Sequence, residues 1–147
     1  MIRPTETLHA TLLVQRDRGL WRGVLLRGPS GAGKSDLALR LLGHGWRLVS
    51  DDRTIVWRDG AKLFGRAPQS LSGLIEARGV GVVASPWAIA AFGEVVLLAD
   101  CVGRDDEVER TPLRQTIRVQ DIDIPATRLC ALDASAAHKL MLAFALA

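Results

Sequence analysis

The sequence is poor in aromatic and sulfur-containing residues. It contains no tyrosine, three phenylalanines and two cysteines among 147 residues. Cys101 and Cys130 show no CxxC spacing and have no histidine nearby, so we expect two buried free thiols rather than a disulfide. Because other aromatic residues are scarce, we expect the tryptophans to pack in the core instead of forming a base-stacking surface. They are Trp21, Trp46, Trp57 and Trp87.

Long apolar runs and strong charge are also missing. No apolar stretch reaches the roughly 20 residues of a membrane-spanning helix, and the N-terminal segment shows no long apolar run after a basic start, as a signal peptide would. We therefore expect a soluble, cytoplasmic protein without a membrane partner. The net charge is only +3 and the basic residues are scattered, so no nucleic-acid partner is expected. The length and the 48% hydrophobic content predict that residues 1–147 form a single domain.

Apolar runs alternate with turn signals and predict an α/β fold with a mixed sheet. Residues 8–14 and 23–26 read as two strands of an antiparallel hairpin, because a polar turn with Gly19 separates them. Residues 35–42 and 135–146 show the apolar spacing of helices. Further strands are predicted at Arg47–Ser50, 54–57, 80–84, 95–99, Gln115–Val119 and 122–124, and a short helix is predicted at 86–91. A turn is predicted at Pro125, and the two strands before it are expected to be edge strands of the sheet.

The strongest motif is a glycine-rich loop that begins at Gly28. It satisfies the pattern G-x-x-x-x-G-K-[ST], follows a strand-like apolar run and opens a predicted helix. Glycines let backbone N–H groups turn toward phosphate oxygens, and the helix adds its positive N-terminal end. Lys34 is expected to reach the β- and γ-phosphates, and the Ser35 hydroxyl to bind Mg²⁺. The predicted nucleotide site consists of Gly28, Pro29, Ser30, Gly31, Ala32, Gly33, Lys34 and Ser35.

Two adjacent carboxylates follow the next predicted strand. Asp51 and Asp52 come directly after Arg47–Ser50, whose carboxyl end should lie at the same sheet edge as the phosphates. One carboxylate can hold the metal while the other accepts a proton from an attacking hydroxyl. Asp52 is the preferred base, and Asp51, which is closer to the strand, is better placed to anchor the site or the metal.

A charged Glu-x-Arg lies between apolar and glycine residues further along. Glu76 could be a second metal ligand and Arg78 a phosphate contact, since the neighbouring glycines permit close approach of a ligand. A solvated charge pair in a flexible loop explains the same pattern. His9, taken alone, is unremarkable, because a lone histidine beside a strand is more often structural.

Together these segments resemble the catalytic domain of HPr kinase/phosphorylase, in a short form without the usual N-terminal domain. The resemblance is carried by His9-Ala10, GPSGAGKSDLALRLL, HGWRLVSDD and APQSLSGLIEARGVGVV, with a weaker match in VQDIDIP at residues 119–125. A P-loop alone is generic, but its combination with RLVSDD and LIEARGVG in this order is specific. Members of that family are similar to phosphoenolpyruvate carboxykinases in P-loop and fold, which accords with a hairpin preceding the P-loop strand.

The resemblance implies an ATP- and Mg²⁺-dependent protein-serine kinase. Its substrate would be HPr, a small phosphocarrier of the bacterial phosphotransferase system, and many members also remove the phosphate by attack of inorganic phosphate. By the same resemblance the protein is expected to be a homo-oligomer. Carried over residue by residue, the resemblance assigns His9, Asp51 and Asp52 to the active site and Glu76 to the metal site. Arg78 matches the arginine of the family's signature segment. Arg110 matches an arginine of a substrate loop.

Two other functions are compatible with the P-loop. A small-molecule kinase of the nucleoside or shikimate type would share the loop, but it predicts a parallel sheet that begins with the P-loop strand and an arginine-rich lid. A non-catalytic ATP-binding sensor would retain Lys34 and Ser35 but would not need Asp52 or His9. Substitution of Asp52 distinguishes the sensor from both kinases.

Overall fold

The protein has the predicted α/β fold. A computed structural model describes residues 4–103 and 108–147. The strands are β1 (Thr5–Leu8), β2 (Ala10–Asp17), β3 (Leu20–Arg27), β4 (Arg47–Ser50), β5 (Thr54–Asp59), β6 (Lys62–Arg66), β7 (Leu74–Ala77), β8 (Gly81–Ala84), β9 (Phe92–Val102), β10 (Gln115–Val119) and β11 (Ile122–Cys130), and the α-helices are α1 (Lys34–Leu42) and α2 (Ala136–Leu146).

Nine strands form one mixed sheet, and β7 and β8 form a separate hairpin. The main path runs β1-β5-β6-β9-β3-β2-β4, with β11 pairing β9 and β10 pairing β11. The contacts of β9 with β3 and with β11 are parallel, and the other pairings are antiparallel. The predicted hairpin is confirmed as β2 and β3, joined by Arg18 and Gly19 at φ 54° and 78°. Two left-handed residues suit a tight turn between right-twisted strands.

The sheet has a buried apolar layer on each face. Both helices pack on one face, where Leu37 and Leu41 of α1 and Leu140 of α2 lie in one core with Leu13 and other strand residues. The second core contains strand residues such as Leu12 and has no helix residue among its buried members. The strands alternate their side chains between these two cores, as residues of period two must, and this fixes which strand residues can face α1 and the loop before it.

Three predicted elements are wrong in detail. Residues 86–91 form no helix; instead Ile89 makes a parallel bridge with Leu48, and the Ala90 amide bonds the Leu48 carbonyl at 3.0 Å. Pro125 forms no turn but lies inside β11, which continues to Cys130 and is therefore not an edge strand. Pairing of β11 with β9 begins only at Ala126, so the missing amide of Pro125 lies where β11 pairs on one side alone.

Other expectations of packing are confirmed in part. Both cysteines are free and buried, and Trp46 is buried against the ring of Phe144, with centroids 5.1 Å apart. Trp21 and Trp57 are only half-buried, and Trp87 is 42% exposed, so the expected core packing is confirmed for Trp46 alone. Within the described residues, no helix is long and apolar enough to cross a membrane.

Candidate active site

The glycine-rich loop connects β3 to α1, as the motif predicts. Lys34 is only 6% exposed, and its ammonium group donates to the Gly28 carbonyl at 2.5 Å, so the charge lies inside the curl of the loop. Gly33 has φ 93°, and a Cβ there would meet Leu132 Cδ2 at 2.7 Å. A Cβ on Gly28 would lie 2.5 Å from the Cys101 carbonyl oxygen. Glycine is therefore required at position 28 by close packing against backbone and at position 33 by its left-handed conformation.

The start of β2 is where the other segments of the site converge. In the antiparallel register Ala10 faces Arg27, the last residue of β3, so the loop begins beside the first residue of β2. Leu12 faces Ser50, the last residue of β4, so the two aspartates that follow also lie there. His9 directly precedes β2. Antiparallel pairing on both sides of one strand thus brings three distant segments to one edge of the sheet.

Asp51 is buried and lies at the centre of this arrangement. Its side chain accepts hydrogen bonds from the Ser35 hydroxyl at 3.0 and 3.1 Å, from the Thr11 hydroxyl at 3.0 Å and from the Glu76 amide at 3.0 Å. These donors come from α1, β2 and β7, so the carboxylate is held by three separate elements. A carboxylate beside the P-loop serine is the arrangement expected of a metal anchor.

Asp52 has a different environment. Its carboxylate lies 2.5 Å from His9 Nε2, and the two side chains are 54% and 55% exposed. The backbone of Asp52 is left-handed, with φ 68°, a conformation that aspartate tolerates better than most residues. This turn directs Asp51 inward and leaves Asp52 beside His9 at the solvent side, so the two carboxylates have separate surroundings.

A cavity of about 430 Å³ opens over the loop. Its wall includes Lys34, Ser35 and Asp52 together with Glu76 and Arg78. The last two belong to the β7–β8 hairpin, which the Glu76 amide attaches to Asp51. Leu132, from the turn after β11, covers the loop from the other side. The structure therefore brings the predicted nucleotide, acid and Glu-x-Arg segments around one space.

Arg110 does not belong to this group. It is exposed in the segment before β10 and is absent from the described residues that line the cavity. We predict a charged loop at residues 105–111, and its first three residues lie outside the described residues. The assignment of Arg110 to a substrate loop stays a prediction.

Thr11 is a site residue that sequence reasoning missed. It is fully buried and contacts both members of the acid pair, since its hydroxyl donates to Asp51 and accepts from the Asp52 amide at 3.0 Å. The signal was present in the sequence, because Thr11 is the one polar residue in the buried run Ala10–Val14. A buried hydroxyl in an apolar strand needs a partner, and the adjacent acids are the obvious candidates.

Cys101 lies behind the loop. Burial raises the pKa of the Cys101 thiol to about 12, although the positive charge of Lys34 acts in the opposite direction. The thiol is therefore protonated at neutral pH and is a packing residue rather than a nucleophile.

The oxygen donors at the loop suit a hard divalent cation such as Mg²⁺. A hydroxyl and a carboxylate lie together at Ser35 and Asp51, and the Glu76 side chain borders the same cavity. Among residues 4–103 and 108–147, no group of three or more His, Cys, Asp or Glu side chains could enclose a metal alone. Ser35 and Asp51 themselves fit Mg²⁺, which commonly uses one or two protein ligands and completes its shell with water and phosphate oxygens.

Comparisons with known proteins agree with the resemblance noted from the sequence. The chain is 35% identical over 133 residues to the HPr kinase/phosphorylase of Brevibacillus brevis, an alignment covering 84% of this chain and 42% of that protein. It is 52% identical over 62 residues to that of Lactobacillus delbrueckii subsp. bulgaricus, covering 42% of this chain and 20% of that protein. The chain thus spans less than half the length of these relatives.

A solved structure shows the same fold over nearly the whole chain. The Hpr(Ser) kinase/phosphatase from Coxiella burnetii matches with a TM-score of 0.81 and 26% identity, and the match covers 96% of this chain and 97% of that one. The family model of the HPr Serine kinase C-terminal domain matches residues 2–130. These residues include the loop, both aspartates and the β7–β8 hairpin, and the chain therefore belongs to the HPr serine kinase C-terminal domain family.

Proposed function

We propose that this protein is an ATP- and Mg²⁺-dependent kinase that phosphorylates a serine of an HPr-like phosphocarrier. One observation carries the proposal: the Ser35 hydroxyl and the Asp51 carboxylate lie 3.0 Å apart at the P-loop, while Asp52 and His9 lie together at the open side of the same site. The first pair suits a metal–nucleotide complex, and the second suits proton transfer from an incoming hydroxyl.

The nucleotide's phosphates would lie in the loop from Gly28 to Ser35. Lys34 already points into this loop, where its ammonium bonds the Gly28 and Pro29 carbonyls at 2.5 and 3.5 Å. The same group can transfer its hydrogen bonds to β- and γ-phosphate oxygens without leaving the loop. The start of α1 adds backbone amides and the positive end of its dipole.

Ser35, Asp51 and Glu76 would hold Mg²⁺, which when bound neutralises charge on the phosphates. Ser35 supplies a hydroxyl oxygen, and Asp51 supplies a carboxylate that is already fixed by three elements. Glu76 is exposed on the cavity wall, within the hairpin that its own backbone amide attaches to Asp51. Its carboxylate can therefore approach a cation at Ser35 directly or through water.

Asp52 would accept the proton of the substrate serine. Its carboxylate is half exposed on the cavity wall, so an incoming hydroxyl can reach it. His9 Nε2, at 2.5 Å from Asp52 Oδ1, orients this carboxylate and can take part in moving the proton onward. Arg78 borders the cavity and can contact the transferred phosphoryl group. Arg110 is assigned to contact with the protein substrate, since it is exposed on the segment before β10.

Phosphorolytic dephosphorylation would use the same groups. Inorganic phosphate in the loop would attack the phosphorus of phosphoserine, forming pyrophosphate as the bond to the serine oxygen breaks, and protonated Asp52 would give its proton to that oxygen. We also propose that the fold is of the type found in phosphoenolpyruvate carboxykinases and that the chain forms a single catalytic domain. We further propose that the protein assembles into a homo-oligomer. The antiparallel partner β2 beside the P-loop strand supports this assignment over a small-molecule kinase, which predicts a parallel sheet beginning at that strand.

The decisive experiment is incubation of the protein with ATP, Mg²⁺ and purified HPr-like carriers, followed by intact mass measurement of the carrier. The expected product is a carrier with one added phosphoryl group at a serine. A matched reaction with the carrier serine changed to alanine shows whether transfer is specific. Tight ATP binding with no transfer to any carrier would refute the kinase assignment and favour a nucleotide-binding sensor.

A further inference from the structure

The acid pair depends on one buried hydroxyl that the proposed mechanism does not use. Thr11 is the second residue of β2 and has no exposed surface. Its neighbours Ala10, Leu12 and Leu13 are also fully buried. A hydroxyl in such surroundings costs free energy unless its hydrogen-bonding capacity is used. Its role is therefore to be found in the two bonds that it makes.

Those two bonds involve different aspartates and different kinds of group. The Thr11 hydroxyl donates its proton to Asp51 Oδ1 at 3.0 Å, which fixes a side chain. Its oxygen accepts the Asp52 backbone N–H at 3.0 Å, which fixes a main-chain position. Because the donor can only point at the Asp51 carboxylate, the oxygen lone pairs are directed toward the Asp52 amide. One hydroxyl therefore sets the relative placement of both acids.

The Asp52 amide bond also supports an unusual backbone. Asp52 has φ 68°, and left-handed non-glycine residues persist only where their surroundings hold them. A buried acceptor directly beneath the amide does this. The turn between β4 and β5 also contains a bond from the Arg53 amide to the Asp51 carbonyl at 2.8 Å. The Thr11 oxygen is the acceptor that bonds the Asp52 amide itself, next to the carboxylate that lies beside His9.

We infer that Thr11 is a positioning residue of the phosphotransfer site, aligning the Asp51 metal anchor and the Asp52 base through its one hydroxyl. The inference rests on the proposed kinase function. It assigns Thr11 no contact with nucleotide or substrate, so the loss of its hydroxyl should affect the rate of transfer and not the affinity for nucleotide.

The test compares Thr11→Val with Thr11→Ser and with Thr54→Val. Valine has nearly the shape of threonine but no hydroxyl. Thr54 is an equally buried threonine whose hydroxyl bonds the Ala10 carbonyl at 2.9 Å, without an observed bond to either aspartate. Thr11→Val should lower kcat for HPr phosphorylation at least about tenfold, since a misplacement of about 1 Å can reduce rates by about 10²-fold. Thr11→Ser should restore most of the rate, and Thr54→Val should keep the wild-type kcat.

Nucleotide affinity and amide exchange separate positioning from stability. ATP affinity measured without metal should be the same in wild type and Thr11→Val. The Asp52 amide should exchange slowly in wild type and Thr54→Val but rapidly in Thr11→Val. A wild-type kcat in Thr11→Val, an equal loss in Thr54→Val, or a rapidly exchanging Asp52 amide in the wild type would each overturn the inference. If Thr11→Val does not fold, hydrogen exchange of the Asp52 amide in the wild type still shows whether the bond to Thr11 is present. A wild type that fails to phosphorylate HPr contradicts the proposed function, while slow exchange at Asp52 would still support the contact.

Discussion

Asp52→Asn removes the proposed base and leaves its placement intact. Asparagine has almost the same shape as aspartate and is also tolerant of the left-handed backbone at φ 68°. The Asp52 amide remains bound to Thr11, and its half-exposed side chain makes no buried contact whose loss would destabilise the fold. What disappears is a carboxylate oxygen able to accept a proton beside His9.

The expected loss follows from that single change. General-base assistance is typically worth about 10²–10⁴-fold, which corresponds to about 2.7–5.4 kcal/mol of activation free energy at about 1.36 kcal/mol per tenfold. ATP affinity should be nearly unchanged, since the phosphate-binding loop and Lys34 do not contact this side chain through any observed hydrogen bond. The assay is single-turnover transfer to the carrier serine, with nucleotide affinity measured in parallel.

The matched control is Asp121→Asn. Asp121 is also an exposed aspartate with a left-handed backbone, at φ 60°, but it lies in the β10–β11 turn. The Asp121→Asn variant should transfer phosphate at the wild-type rate. Normal transfer by Asp52→Asn together with an inactive Asp51→Asn would reassign the base to Asp51. Near-normal transfer by both variants would refute the reasoning for the pair and leave His9 as the next candidate.

Three further predictions concern the loop, the metal and the core. Lys34→Ala should weaken ATP binding about 10–100-fold in calorimetry, since hydrogen bonds to charged groups contribute about 1.5–3 kcal/mol; wild-type affinity and activity would refute the P-loop assignment. Glu76→Gln should raise the Mg²⁺ concentration needed for half-maximal transfer, with metal-free ATP affinity unchanged, and an unaltered Mg²⁺ dependence would exclude Glu76 from the metal site. Because the Cys101 pKa is raised to about 12 from 9.0, the folded state retains a proton that the unfolded state releases, and between these two pH values the free energy of unfolding should fall by up to about 1.4 kcal/mol per pH unit. In urea titrations, the free energy of unfolding of Cys101→Ala should fall less steeply with pH over this range than that of the wild type. Equal dependence on pH in both proteins would contradict the prediction.

The sequence predicted the elements with strong local signals. The arrangement of strand, glycine-rich loop and helix was predicted correctly because the motif combines a tight glycine turn with a helix start, both of which are local. The β2–β3 hairpin was also predicted, since Gly19 lies in a polar break between two apolar runs. The aspartates after β4 were expected at the loop because the carboxyl end of that strand lies at the same edge of the sheet, and the contact of Asp51 with Ser35 agrees with that reasoning.

Other features depend on contacts between distant segments. Residues 86–91 are attached to β4 by the bridge between Ile89 and Leu48 and by the bond from the Ala90 amide to the Leu48 carbonyl. A local sequence pattern that resembles a short helix does not indicate these contacts. The β7–β8 hairpin is attached to Asp51 through the backbone amide of Glu76. Every residue except proline has such an amide, so the side-chain pattern of the sequence does not predict this contact. The role of Thr11 requires knowing that β4 pairs with β2, a choice of partner that strand periodicity does not determine.

The register of that pairing explains why Thr11 meets the acids at all. Leu13 faces Leu48, but Leu12 faces Ser50, so β4 carries one extra residue, Val49, at this step. With regular pairing Ser50 would lie opposite Thr11, and the aspartates would begin one position beyond the hydroxyl. The irregularity advances β4 by one residue and brings Asp51 level with Thr11, which is where the 3.0 Å bond is found. A bulge of this kind also increases local twist and re-aims the residues that follow it. The chemistry proposed for Asp51 and Asp52 therefore depends on one inserted residue in a buried strand as much as on the two carboxylates themselves.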